Sequence, residues 1–150
     1  MSSDWAIAVD KSVALSVEDV YRAWLEPALV KRWMAPGTMR VSEPTIDARP
    51  EGQWQLEMID VDGSRHKAFG QYTLLSELSE LSDSSELALT WAWDGGHYTT
   101  QITVTIEAGA NGRTDVCIEQ RGFPSMDVAQ SHEAGWAGCL DKLGKLHLDG

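Results

Sequence analysis

The last quarter of this 150-residue chain constrains its fold most. After a long run of period-two segments, a polar turn at Pro124 and Ser125 opens onto a helical stretch holding Trp136, Leu140, Leu143 and Leu146. A helix that closes a series of alternating strands buries its apolar stripe against the open face of the sheet those strands build. Over 125–146 the residues Val128, His132, Trp136, Cys139, Leu140, Leu143 and Leu146 share one face, interrupted by Gly135 and Gly138. Glycine is about 1 kcal/mol worse than alanine inside a helix, so two of them flanking Trp136 indicate close backbone approach or space left for another molecule. Plain tight packing of helix on sheet is the alternative, and periodicity does not separate the two.

Upstream, Trp5, Ile7 and Val9 alternate with Ala6, Ala8 and Asp10, which predicts a first strand over 5–15. Ser16 stands at a helix N-cap with Asp19 three residues on, where a capping-box acid sits, and Val20, Tyr21, Trp24 and Leu25 form the buried face of that helix. Pro27 stops it and opens a second helix with Leu29, Val30 and Trp33, which Pro36-Gly37 ends. Period two then returns, predicting strands over 39–48, 53–61, 67–78, 87–93, 98–107 and 114–120. The separators Arg49-Pro50-Glu51-Gly52, Asp62-Gly63, 79–86, Asp94-Gly95-Gly96 and Gly109-Ala110-Asn111-Gly112 suit hairpins, making successive strands antiparallel neighbours.

Trp54, Leu56 and Met58 share one strand face, and Leu87, Leu89, Trp91 and Trp93 share another. An antiparallel sheet with one apolar face needs a cover, and the closing helix is long enough to supply it. Length and the lack of an internal repeat predict a single domain over 1–150. No apolar stretch nears the roughly 20 residues needed to cross a bilayer. The first ten residues lack a basic segment followed by an apolar one, so a cytoplasmic location is expected.

Cys117 and Cys139 are far apart with no CxxC pattern, which suits two reduced, buried thiols better than zinc. Twelve basic and 23 acidic residues give a net charge of -11 without any basic cluster, which argues against nucleic acid or an anionic membrane as partner. His66, His97, His132 and His147 lack metal-ligand spacing, and Ser64 and Ser131 lack a nucleophile-elbow context. No metal, cofactor or catalytic set is expected.

Taken in order, several segments carry a resemblance: Val20-Tyr21-Arg22-Ala23-Trp24 with Pro27, Lys31-Arg32-Trp33-Met34-Ala35-Pro36, Asp47-Ala48-Arg49-Pro50-Glu51-Gly52 and Phe69-Gly70-Gln71-Tyr72. Leu89-Thr90-Trp91, Arg113-Thr114-Asp115, and Gly135-Trp136 with Leu140 and Leu143 complete it. The chain resembles the START-like, or SRPBCC, helix-grip superfamily, in the branch that includes the C-terminal domain of the activator of heat-shock-protein-90 ATPase. The resemblance implies an α+β fold in which a curved antiparallel sheet of about seven strands wraps around a long C-terminal helix, with two short helices after the first strand.

It also implies an apolar or amphipathic small molecule held between sheet and helix. Trp54, Met58, Tyr72, Trp91, Trp93, Trp136, Cys139 and Leu140 are then candidate wall residues, and Arg49, Glu57, Gln120 and His132 are candidates to orient a polar group of the ligand. The plainer readings are tryptophans that fill a core, an Arg49 and Glu57 paired at the surface, and a core histidine at 132. Two other functions are implied by the resemblance. One is a co-chaperone-like, stress-related module whose acidic surface meets a protein partner. The other is a cyclase or hydrolase acting on a polyketide-like substrate, which needs an acid-base pair that the sequence does not display. A homodimer through edge strands is a further expectation, with Lys11 a charge that guards the first edge.

Overall fold

The computed structural model describes residues 5–76 and 84–146. They form β1 (Trp5–Val13), α1 (Val17–Leu25), α2 (Pro27–Trp33), β2 (Arg40–Val41), β3 (Thr45–Ile46), β4 (Gln53–Ile59), β5 (Arg65–Leu75), β6 (Ser84–Trp93), β7 (Thr99–Ala108), β8 (Thr114–Phe123) and α3 (Met126–Leu143). The strands make one antiparallel sheet in the order β1-β8-β7-β6-β5-β4-β2, with β3 also paired to β4. From β4 onward each strand lies beside its predecessor, as short turns dictate. The chain returns to β1 only through β8, so β1 is an edge. With α3 against β1 and close to α2 and β8, this is the helix-grip architecture.

The helices start where local chemistry places them. Ser16 Oγ accepts the Asp19 N–H at 3.1 Å, and Ser125 Oγ accepts that of Val128 at 3.2 Å. Glu26 serves both as C-cap of α1 and N-cap of α2, in extended conformation, with Pro27 at the first helical position where a missing N–H is harmless. Trp33 Nε1 donates to the Ala23 carbonyl at 2.8 Å, which pins the end of α2 onto α1. The last helix ends at Leu143 rather than 146: Lys145 and Leu146 bond three residues back, to Lys142 and Leu143, instead of four.

One strand and one burial expectation are corrected. The strand foreseen over 39–48 is split, because Pro44 has no N–H for the ladder. Val41 pairs with Met58 and Thr45 with Gln55, so three residues on this side face two on β4, a bulge at the sheet edge. Cys117 is half-exposed rather than buried, because it alternates with the fully buried Val116 and Ile118 and so points out of the sheet. Of the connection expected over 79–86, 79–83 lies outside the described residues, and Ser84, Ser85 and Glu86 belong to β6, paired with β7; Ser76 Oγ meets both Ser85 Oγ and the Glu86 backbone.

Gly70 sits at the tightest approach in the sheet. It pairs with Trp54, and a Cβ on it would overlap the Thr90 carbonyl oxygen of β6 and press on Trp54 Nε1 at 2.9 Å. The absent side chain lets the Trp54 indole lean across β5. Gly70→Ala is therefore expected to lower stability by about 2–3 kcal/mol or more, the range of overpacked interiors, as read from urea unfolding at unchanged m-value. A loss below about 0.5 kcal/mol would show that β5 and β6 can separate at no cost.

Candidate functional site

Six of the seven tryptophans form one connected cluster between sheet and helices. Trp33 stands edge-on to Trp24 at 4.9 Å between ring centroids, Trp24 is 5.5 Å from Trp136, and Trp136 is 5.5 Å from Trp91. Trp91 touches Trp54 at 4.8 Å and Trp93 at 5.6 Å. Offset and edge-to-face contacts of this kind add to the stabilisation from area burial. The interior that a curved sheet could leave open is thus largely filled by indole. Around Trp24, Trp54, Tyr72 and Trp91 only about 10 Å³ remains empty.

A hydrogen-bonded chain runs through this cluster. Trp136 Nε1 donates to Gln120 Oε1 at 2.7 Å, Gln120 Nε2 donates to Thr100 Oγ1 at 2.7 Å, and Thr100 Oγ1 donates to the Trp91 carbonyl at 3.2 Å. Gln120 is wholly buried, so its amide needs these partners. By contrast the buried Nε1 atoms of Trp24, Trp54 and Trp91 have no partner among the described residues.

The remaining space lies at one end of the cluster, a pocket of about 160 Å³. Trp91, Trp93 and Met58 form its sheet side; His132, Gly135, Trp136 and Cys139 of α3 form the other, with Ser131 at the exposed rim. Pro36 and Met39 close it from the loop after α2, and His66 from β5. That loop is tied to α3 by Lys142, whose Nζ donates to the carbonyls of Ala35 at 2.5 Å and Met39 at 3.2 Å. A larger groove of about 610 Å³ exists on the outer face of β3–β6, with more polar walls that include Gln53, Gln55, Lys67 and Asp94. The smaller pocket, also partly open to solvent, has the predominantly apolar walls that a small-molecule site requires.

His132 has both ring nitrogens engaged. Trp93 Nε1 donates to His132 Nε2 at 3.0 Å, which makes Nε2 the acceptor, so the proton is on Nδ1 and is donated to the Val128 carbonyl at 3.0 Å. Burial holds the imidazole below its ordinary value of 6.5, only partly offset by the bond to Val128. Burial likewise pushes the Cys139 thiol up to about 12 and raises the Tyr72 phenol, so neither is ionised near neutrality. No carboxylate lines the pocket among the described residues.

The residues singled out in the sequence fall into three groups. Met58, Trp91, Trp93, His132, Trp136 and Cys139 line the pocket. Trp54 and Tyr72 border the small inner gap instead, while Leu140 and Gln120 are packed into the core. Arg49 and Glu57 lie apart from it, Arg49 on the surface with Asp47 at 2.7 Å and Glu57 with Arg65 at 3.1 Å. Pro36, Met39, His66 and Ser131 line the pocket without having been singled out for it. His66 had one readable signal, its place directly across from Met58, but that needs the β4–β5 register.

The profile of the family described as Activator of Hsp90 ATPase homolog 1-like protein matches residues 14–147. Among solved structures, protein CV1439 from Chromobacterium violaceum is 25% identical, with a TM-score of 0.80 over 94% of this chain and 96% of that one. The AHSA1 protein from Silicibacter pomeroyi is 20% identical, with a TM-score of 0.74 over 94% and 96%. CalU16 from Micromonospora echinospora is 19% identical, with a TM-score of 0.64 over 95% of this chain and 75% of that one. No curated protein sequence matches the chain.

Two outcomes are expected at this site. Trp136→Phe keeps the ring but orphans the buried Gln120 oxygen, and should cost about 1–3 kcal/mol by chemical unfolding; a neutral result would show that water replaces the indole. For His132, the unfolded chain binds the proton more readily than the folded one. Stability is therefore complete above about pH 6.5, falls as pH drops through that value, and levels off below the folded value. His132→Gln, which can still accept from Trp93, should remove that part of the slope between pH 7.5 and 5.5, and identical slopes in the two proteins would contradict it.

Proposed function

Starting from a chain that belongs to the Activator of Hsp90 ATPase homolog 1-like family, we propose that it binds a small apolar molecule in the pocket between α3, the β4–β6 face and the loop after α2. The observation that carries this reading is the pocket itself. A space of about 160 Å³, partly open to solvent and walled by Trp91, Trp93, Trp136, Met39 and Met58, lies beside an indole-packed core whose inner gap is only about 10 Å³. An apolar ligand there would take the exposed apolar walls out of water and supply them with dispersion contacts. Binding is favoured over catalysis by the state of His132: with Nε2 accepting from Trp93 and Nδ1–H given to Val128, it has no lone pair free for a substrate proton.

The test uses protein labelled with ¹³C at its methionine methyls. Titration with small apolar solutes should shift Met39 and Met58 saturably while leaving Met126, which is 48% exposed elsewhere on the surface, unmoved. Failure of every solute to move either pocket methionine would sink the proposal.

A further inference from the structure

The two glycines of α3 do different things. At Gly138 a Cβ would stand 3.0 Å from the Cβ of Pro36 and 3.4 Å from its Cα, so glycine there is what allows the loop after α2 to lie on the helix. At Gly135 a Cβ would meet nothing nearer than the Cγ of Pro36 at 4.0 Å, an ordinary contact. Gly135 also has helical backbone that any residue adopts. Neither packing nor conformation calls for glycine at 135, and glycine is a poorer helix former than any residue but proline. What its missing side chain provides is a bare strip of helix on the wall of the pocket.

The volume and the walls limit what lies there. About 160 Å³ is close to the roughly 150 Å³ apolar cavity known to take up benzene, and well below the roughly 300 Å³ at which sites for drug-sized ligands begin. The walls offer indole faces and methionine sulfurs, both favourable partners for an aromatic ring. Among the described lining residues there is no Lys, Arg, Asp or Glu, and the ring nitrogens of His132, Trp93 and Trp136 are already engaged. His66, which also lines the pocket, faces Asp60 at 3.9 Å, so an anionic ligand would give up hydration and compete with that carboxylate.

We propose that Gly135 sets the size limit of this pocket, which takes one neutral molecule with a single aromatic ring lying against the α3 backbone. The inference rests on the ligand-binding reading above and narrows it to a substrate class and a specificity-determining position.

The experiment compares anisole, naphthalene and benzoate by calorimetry and by the Met39 and Met58 methyl shifts, in the parent protein, Gly135→Ala and Gly135→Leu. Anisole should bind the parent saturably, with naphthalene and benzoate about tenfold weaker or worse. Gly135→Ala should weaken anisole about tenfold while its thermal midpoint holds or rises by roughly 2–4 °C, and Gly135→Leu should abolish binding. Naphthalene binding as tightly as anisole, or anisole affinity unchanged in Gly135→Ala, would overturn the size limit and leave the binder standing. Silence of both methionines toward all three molecules in the parent would overturn this inference together with the reading it rests on.

Discussion

The hydrogen bond from Trp136 to Gln120 is the contact on which the rest of the interior depends. It joins the C-terminal helix to β8 inside an apolar core, where an unpaired amide would be costly. Gln120 in turn holds Thr100 of β7, which donates to the Trp91 carbonyl of β6, so one polar thread crosses three neighbouring strands and ends on the helix. The thread fixes the orientation of the Trp136 ring. Trp24 and Trp91 pack against that ring, and Trp33, Trp54 and Trp93 against those two. Hydrophobic burial alone is indifferent to ring orientation; the N–H bonds of Trp33, Trp93 and Trp136 orient three of the six indoles, and ring-on-ring packing places the others against them.

The pocket is the space this arrangement leaves at its end. It is closed on its third side by the loop after α2, which reaches the helix because Gly138 lets Pro36 approach and because Lys142 donates to two loop carbonyls. The chain is strongly acidic, with a net charge of -11, yet no Lys, Arg, Asp or Glu lines the pocket among the described residues. Electrostatics govern what the surface meets; shape and dispersion govern what the pocket holds.

Much of the candidate site could be read from residue order. Trp91 and Trp93 follow the alternation of β6, and His132, Trp136 and Cys139 follow the helical spacing of α3, so their common direction was visible before any contact was known. Glu57 lies between Leu56 and Met58, both buried, and alternation accordingly turns it toward Arg65. Pro36, Met39 and His66 were less legible, because their part in the wall comes from a loop fold and a strand register rather than from their own neighbours in sequence. The broken 39–48 strand belongs with them: Pro44 was visible, but the bulge it forces against β4 appears only in the pairing.

What the amino-acid sequence by itself determined is the order of elements, their caps at Ser16 and Ser125, the short turns between strands and the apolar face of each element. These follow from spacing and from the chemistry of adjacent residues, interactions a few positions long. Only the tertiary structure decided how far the tryptophans fill the hollow, that Gln120 bonds Trp136 and Thr100 inside the core, and that Gly138 is bound by packing while Gly135 is not. Those outcomes depend on ring orientations and backbone approaches between residues far apart in the chain, which local periodicity does not encode.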